Sequence, residues 1–361
     1  MQDWLNLNSH EKRALGAIVL GIRLITGILS IFWSSMGNTQ YLALLVSSAI
    51  SLAIVFFIFQ LCQRYQAPLH VALRLALGKY VYALYCVIVI LFLLHSAQNA
   101  LYISTVLSLN IALPNARLYL IAGVTALAAF LVALAGLRPI ARFSKLISYA
   151  LIAELALTFI LMFSTSSFVH FFPFWGTGAG NIVRCGASAT TDFFMLFLLG
   201  CMYDPAKGKK DGRKLLFIPW GVATGVSFLF YVGATMIFPY TVHSFSPLIE
   251  MFSGSNASPS LASIFIFVWD IAFMITLSAQ LCFCTAFIGQ LIPRIPYSRV
   301  VLFAVTAVVF SLSLISRDTL SGFIQTFLHP SLYSWLFLYA PLFLAYLASF
   351  FRKDKKACVA S

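Results

Sequence analysis

The chain has 361 residues, of which 61% are hydrophobic and only 9% charged, and its mean hydropathy is +0.96. A soluble globular domain is about a quarter charged, so these few charges cannot dress a water-facing surface of this size, and a sizeable soluble domain is excluded. The formal net charge of +13 would point to nucleic acid in a soluble protein. Here the placement of the charges along the chain points to a lipid bilayer instead.

A helix needs roughly 20 apolar residues to cross the bilayer core. Ten runs qualify as spans: 14–34, 40–61, 80–104, 117–136, 146–163, 181–202, 215–237, 262–289, 300–316 and 331–351. The first is long enough to span and is followed by no small-residue cleavage site, so it is expected to stay as a span rather than act as a cleaved signal. Span three carries His95, Asn99 and Tyr102 at i, i+4 and i+7, which is one polar face. The stretch 164–180, with Phe168, Phe171, Phe172, Phe174 and Trp175, is punctuated by Gly and Pro and reads as an interfacial segment. The outer stretch 238–261 is the longest connection and holds Glu250 and an Asn256-Ala257-Ser258 sequon. The seven cysteines lie mostly in apolar runs, as Cys86, Cys201, Cys282 and Cys284 do, and read as small apolar residues rather than a disulfide framework.

The charges support the same count of spans. With ten, 19 of the 23 Lys and Arg residues fall on one side: Lys12 and Arg13; Arg64, Arg74 and Lys79; Arg138, Arg142 and Lys145; Lys207 to Lys214; Arg294 and Arg299; and Arg352 to Lys356. Only Arg23, Arg117, Arg184 and Arg317 lie elsewhere. Basic loops stay in the cytoplasm, so both termini, 1–12 and 352–361, are expected there. The chain divides into two five-helix halves, about 10–163 and 181–351, of one polytopic domain.

The first helix of each half is unusual. Span one has Gly16, Gly21 and Gly27, with Thr26 beside the last; span six has Gly180, Gly186 and Gly200 around the polar run that contains Thr190, Thr191 and Asp192. Interrupted helices at matching positions of two halves mark a transporter-type site, because unwound backbone at the midplane must be satisfied by a ligand or ion. The alternative is that the glycines only allow close helix packing. Four ionisable residues lie inside spans: Arg23, Glu154, Asp192 and Asp270. Such residues face the bundle interior; Arg23 is expected to pair with one of the acids, either as a structural pair or in binding or ion coupling. No phosphate-binding loop, metal-ligand spacing or nucleophile elbow is present, so neither an enzyme nor a cofactor is expected.

Several stretches carry a resemblance. Residues 62–81, 134–147 (LAGLRPIARFSKLI), 192–203 (DFFMLFLLGCMY) with the basic run after it, 247–252 (PLIEMF) and 264–269 (IFIFVW) resemble, in order and spacing, the B subunit of GerA-type spore germinant receptors, a branch of the amino acid–polyamine–organocation transporters. The resemblance implies an all-α integral membrane fold of ten helices in two inverted five-helix repeats of the LeuT type, with broken helices one and six. It implies nutrient sensing in the spore inner membrane together with an A subunit and a lipoprotein C subunit. The small-molecule ligand, an amino acid by this likeness, would be lined by Gly21, Thr26, Gly27, Asn99, Tyr102, Gly186, Thr190, Thr191, Asp192, Asp270 and Thr276. A proton- or sodium-coupled amino-acid permease of the same fold is the alternative.

Overall fold

The protein is seen in a computed structural model that describes residues 7–113, 115–163, 167–172, 174–176, 178–237, 259–292, 299–315 and 332–351. Among the described residues the regular structure is helical throughout. The spans are Ser9–Met36, Gln40–Tyr65, Lys79–Leu107, Leu118–Leu134, Leu137–Phe163, Ala179–Cys201 in three pieces, Gly208–Ile237, Pro259–Leu291, Arg299–Leu314 and Leu332–Phe351. Each apolar run of the sequence is therefore a helix, and span five begins nine residues earlier than its apolar run because Arg138, Arg142 and Lys145 continue the helix. Five of these helices are individually long and apolar enough to cross a membrane, and the pair of spans four and five would make a sixth if taken as one. The outer stretch 238–258, with Glu250 and the sequon, lies outside the described residues.

Burial sorts the helices. In their most apolar windows, spans six and eight are 78% buried, against 50%, 44% and 39% for spans two, three and seven. Spans six and eight therefore form the interior. The outer helices turn Leu91, Leu120, Val124 and Phe303 outward, as a lipid-covered bundle must. Span one packs on seven and five, span three on eight, and span two on six.

Two connections carry structural information. After Pro68 a short helix, Leu69–Leu77, buries Leu69, Ala72, Leu73 and Ala76 on one face against spans three and ten. Beside it, Arg64 donates to Ser349 Oγ at 2.9 Å and lies 3.6 Å over the Phe350 ring. Spans four and five meet in a 115° bend at Ala135 and Gly136. Gly136 has φ +88°, and a Cβ added there would meet nothing within 4 Å, so the corner depends on a left-handed backbone. The aromatic stretch after span five forms a short 3-10 turn, Phe168–Phe171, docked through Asn38 Nδ2 on the His170 carbonyl (3.2 Å) and Tyr41 against Phe171. Phe168, Phe172 and Trp175 stay exposed there.

Span one differs from the sequence expectation. It runs as one helix from Ser9 to Met36, through Thr26 and Gly27, without a break. Thr26 Oγ1 folds back to donate to the Ile22 carbonyl at 2.8 Å, a bond made within the helix that leaves the backbone wound. The interruption is confined to span six.

Candidate ligand and ion site

Span six is helical over Ala179–Ala189 and Met195–Cys201, with a 3-10 stretch, Thr190–Phe194, between them. Every residue of that stretch is buried. Hydroxyl bonds accompany it. Thr190 Oγ1 donates to the Gly186 carbonyl (3.2 Å) and Thr191 Oγ1 to the Ser188 carbonyl (3.0 Å), so side chains contend for carbonyls that the helix would otherwise use. Tyr339 of span ten donates its hydroxyl to the Thr190 carbonyl at 2.7 Å, satisfying an acceptor at the irregular stretch.

The glycines do not mark the break. A Cβ on Gly186 would stand 2.6 Å from Val46 Cβ and 2.8 Å from the Ala43 carbonyl oxygen; one on Gly16 would stand 2.5 Å from Leu199; one on Gly200, 2.8 Å from Ile58 and Leu69. These glycines let spans one, two and six approach closely, which is the packing alternative. Gly21 is buried and lines a crevice between spans one, five and seven.

Asp192, in the middle of the 3-10 stretch, faces span one. Its Oδ1 lies 2.9 Å from Nε of Arg23, and the side chains are 1% and 6% exposed. The Arg23 guanidinium also lies 5.8 Å from the centroid of the Phe92 ring on span three. A charge pair so far from water persists only because each partner compensates the other. Just beyond, Tyr231 of span seven donates to the carbonyls of Leu24 (2.8 Å) and Ile25 (3.0 Å). Thus a span-seven hydroxyl sits on the carbonyls of span one, as a span-ten hydroxyl sits on span six.

The remaining candidates divide into groups. Asp270 is held by span three: Ser104 donates to Oδ1 at 2.8 Å and Ser108 to Oδ2 at 2.7 Å. Thr276, on the same helix, donates to the Ala272 carbonyl. Asn99 is 9% exposed on span three, and Tyr102 lies on that helix as well. Glu154 on span five is 6% exposed, and neither carboxyl oxygen has a hydrogen-bond partner in good geometry; the indole of Trp269 is the polar group beside it. Among the described residues no group of three or more His, Cys, Asp or Glu gathers to hold a metal ion. Sequence reasoning missed Tyr231, Tyr339 and Trp269, which look apolar in a span. It also missed Ser104 and Ser108, whose i, i+4 spacing was the available signal.

Three polar contacts tie segments together at the face bordered by the basic loops. Lys12, in the first turns of the span-one helix ahead of its apolar run and 2% exposed, donates from Nζ to the Met202 carbonyl at 2.9 Å. Burial, and after it the neighbouring Lys207 charge, lowers its pKa to about 8. Lys207 in turn donates to the Leu7 carbonyl, and Ser9 bonds Asp211.

A family model described as "Spore germination protein" matches residues 12–349. The chain belongs to the spore germination protein family. Among solved structures, this family member is similar to MHP1, a nucleobase-cation-symport-1 family transporter (14% identity, TM-score 0.66, 83% of this chain and 71% of that one). It is also similar to the Eremococcus coleocola manganese transporter (14%, 0.62, 95% and 77%) and to a Na+-coupled sialic acid symporter (12%, 0.68, 94% and 78%). At these identities the likeness establishes the LeuT-type fold of a multi-pass membrane protein. No curated relative matches the chain.

Proposed function

We propose that this spore germination protein is the nutrient-sensing B-type subunit of a germinant receptor, that it works with A and C subunits, and that its ligand is an amino acid bound between spans one and six. The observation that carries the reading is the Arg23–Asp192 pair at the irregular turn of span six. An α-amino acid brings one carboxylate and one ammonium. Arg23 suits the first and Asp192 the second, so binding exchanges one internal pair for two external ones and leaves no buried charge uncompensated. Thr190, Thr191, Thr26 and Gly27 flank that position in sequence, and Asn99, Tyr102, Asp270 and Thr276 belong to the facing spans three and eight. Sensing then follows from a ligand that prefers one arrangement of spans one and six, at about 1.4 kcal/mol per tenfold bias. The family's name supports a protein of the spore inner membrane, and the gathering of basic residues on one side supports cytoplasmic termini.

The test is thermal unfolding of the purified protein in the presence of each standard amino acid in turn. A matching ligand at a hundredfold excess over its Kd adds about 2.7 kcal/mol, read as a raised Tm that Arg23→Gln and Asp192→Asn both abolish. A flat response to all of them overturns the amino-acid reading. The permease alternative is favoured by one observation, the unpartnered Glu154 carboxyl, which suits ion coupling. Labelled amino acid accumulating in vesicles under a proton gradient would decide for it.

A further inference from the structure

Spans five and seven both pack on span one, and between them runs a crevice of about 500 Å³, counting space open to the surroundings. Ala17, Gly21 and Ile25 line it from span one, Leu151 from span five, and Val222 and Val226 from span seven. Ser148 is in the wall too, but its hydroxyl turns back to donate to the Lys145 carbonyl at 2.8 Å. The wall is therefore apolar almost throughout and offers water little. Its rims, Ile152 and Val222, are 54% and 43% exposed, so the crevice opens sideways, where lipid lies. From Ala17 to Ile25 it follows about 12 Å of helix, close to the roughly 15 Å of hydrocarbon in one leaflet. Cations stand at the end bordered by the basic loops. Arg13 lies one turn before Ala17, Lys145 three residues before Ser148, and Lys214 heads the row Lys214, Ile218, Val222, Val226. Helical spacing puts each of them on the strip that faces the crevice. Lys145 and Lys214 are exposed; Arg13 is half-buried and gives its Nε to the Ser9 carbonyl at 3.0 Å. The acid nearby, Glu11, is paired with Arg142 at 3.4 Å.

We propose that this crevice is a site for one anionic phospholipid of the leaflet beside the basic loops, with an acyl chain lying along span one and the phosphate held by Arg13, Lys145 and Lys214. The chain fills an apolar groove that neither water nor any side chain of the described bundle occupies. The headgroup meets three positive charges converging from three helices, and a phosphate without a compensating ammonium suits them better than a zwitterion does. A chain fits better than a neighbouring helix. Spread over its length, the crevice has a section of roughly 40 Å², about half or less of that of a helix about 10–12 Å across. Because the chain would touch spans one, five and seven together, the bound lipid would brace span one against both neighbours.

Native mass spectrometry of the full chain, released from nanodiscs of equal parts phosphatidylglycerol and phosphatidylcholine, reads this directly. One phosphatidylglycerol should be retained in preference to phosphatidylcholine. The preference should fall about fivefold for each of Arg13→Gln, Lys145→Gln and Lys214→Gln, and about a hundredfold for all three together. Arg74→Gln with Lys79→Gln, basic positions away from the crevice, should leave it unchanged. Ala17→Trp fills the groove without touching a charge and should expel the retained lipid; should it fail to fold, Val222→Trp closes the same groove from its exposed rim. Equal retention of the two lipids overturns the proposal. So does retention indifferent to the tryptophans, or a loss as large in the Arg74 and Lys79 variant as in the triple one. A chain that keeps no lipid at all leaves the groove to another occupant, such as a helix of a partner, and overturns it as well. The amino-acid reading fails separately, because its thermal shift depends on Arg23 and Asp192, neither of which lines the crevice.

Discussion

Spans one and six open the two halves of the chain, yet they behave differently. Span one is a continuous helix of 28 residues; span six is cut by the 3-10 stretch Thr190–Phe194. Both contain glycines, so glycine content does not separate them. What accompanies the cut in span six is a pair of adjacent threonines, a hydroxyl from span ten and a buried acid at one place. Span six has Thr190 and Thr191 side by side, with Tyr339 arriving from outside. In span one Thr26 bonds its own helix, and Tyr231 approaches carbonyls that remain in the helix. Hydroxyl back-bonding alone does not unwind a helix in lipid: Ser47 and Ser48 both donate to the Leu44 carbonyl in span two, which stays wound.

The comparison can be broken most forcefully at the charge that joins the two helices. Asp192→Ala leaves Arg23 buried without a counter-charge and is expected to cost about 3–5 kcal/mol in unfolding of the purified protein. The double variant Arg23→Met, Asp192→Leu should recover most of that loss, because no orphan charge remains; failure to recover would mean that the pair holds more than charge. Next in size is Gly186→Val, which drives a side chain into Val46 and an immovable Ala43 carbonyl. About 1–3 kcal/mol of overpacking is expected. Gly225→Ala, on a helix face with nothing within 4 Å, should instead gain up to about 1 kcal/mol. Equal effects at the two glycines would remove the packing explanation.

A smaller effect sharpens the contrast between the wound and unwound helices. Tyr231→Phe deletes two hydrogen bonds to span one and should cost about 1 kcal/mol, with faster amide exchange confined to residues near Leu24 and Ile25. A separate effect is one of pH. Burial lowers the pKa of His70, in the short helix after span two, to about 4. Between that value and the ordinary value of about 6.5, the unfolded chain binds a proton that the folded chain does not. Stability therefore falls as pH drops from about 6.5 toward 4, and His70→Gln should flatten that slope in a Tm-against-pH series.

Much of this was legible in the sequence. The spans were visible as apolar runs, because lipid demands length and hydrophobicity and nothing subtler. Arg23 was visible as a charge in need of an acid, and Asp192 as one of three choices; only packing could select it. The position of the break was half visible. The polar run around Thr190 and Asp192 announced it, but Gly186 and Gly200 looked like part of the same signal when they serve contacts with span two and the short helix after it. Whether a glycine frees a backbone or admits a neighbour is decided by what stands opposite, and sequence does not carry that. Trp269 and the two tyrosines were invisible for a related reason. In an apolar run an aromatic residue counts as hydrophobic, although its single polar atom determines where it is useful.

The corner at Gly136 carries a consequence of its own. Since φ is +88° there and no neighbour crowds the missing side chain, the turn by which span five leaves span four needs a left-handed backbone at that one residue. A D-alanine placed there by semisynthesis would keep the turn, whereas L-alanine would strain it. The turn into the helix that carries Glu154 therefore depends on a backbone handedness that a residue with an L side chain resists.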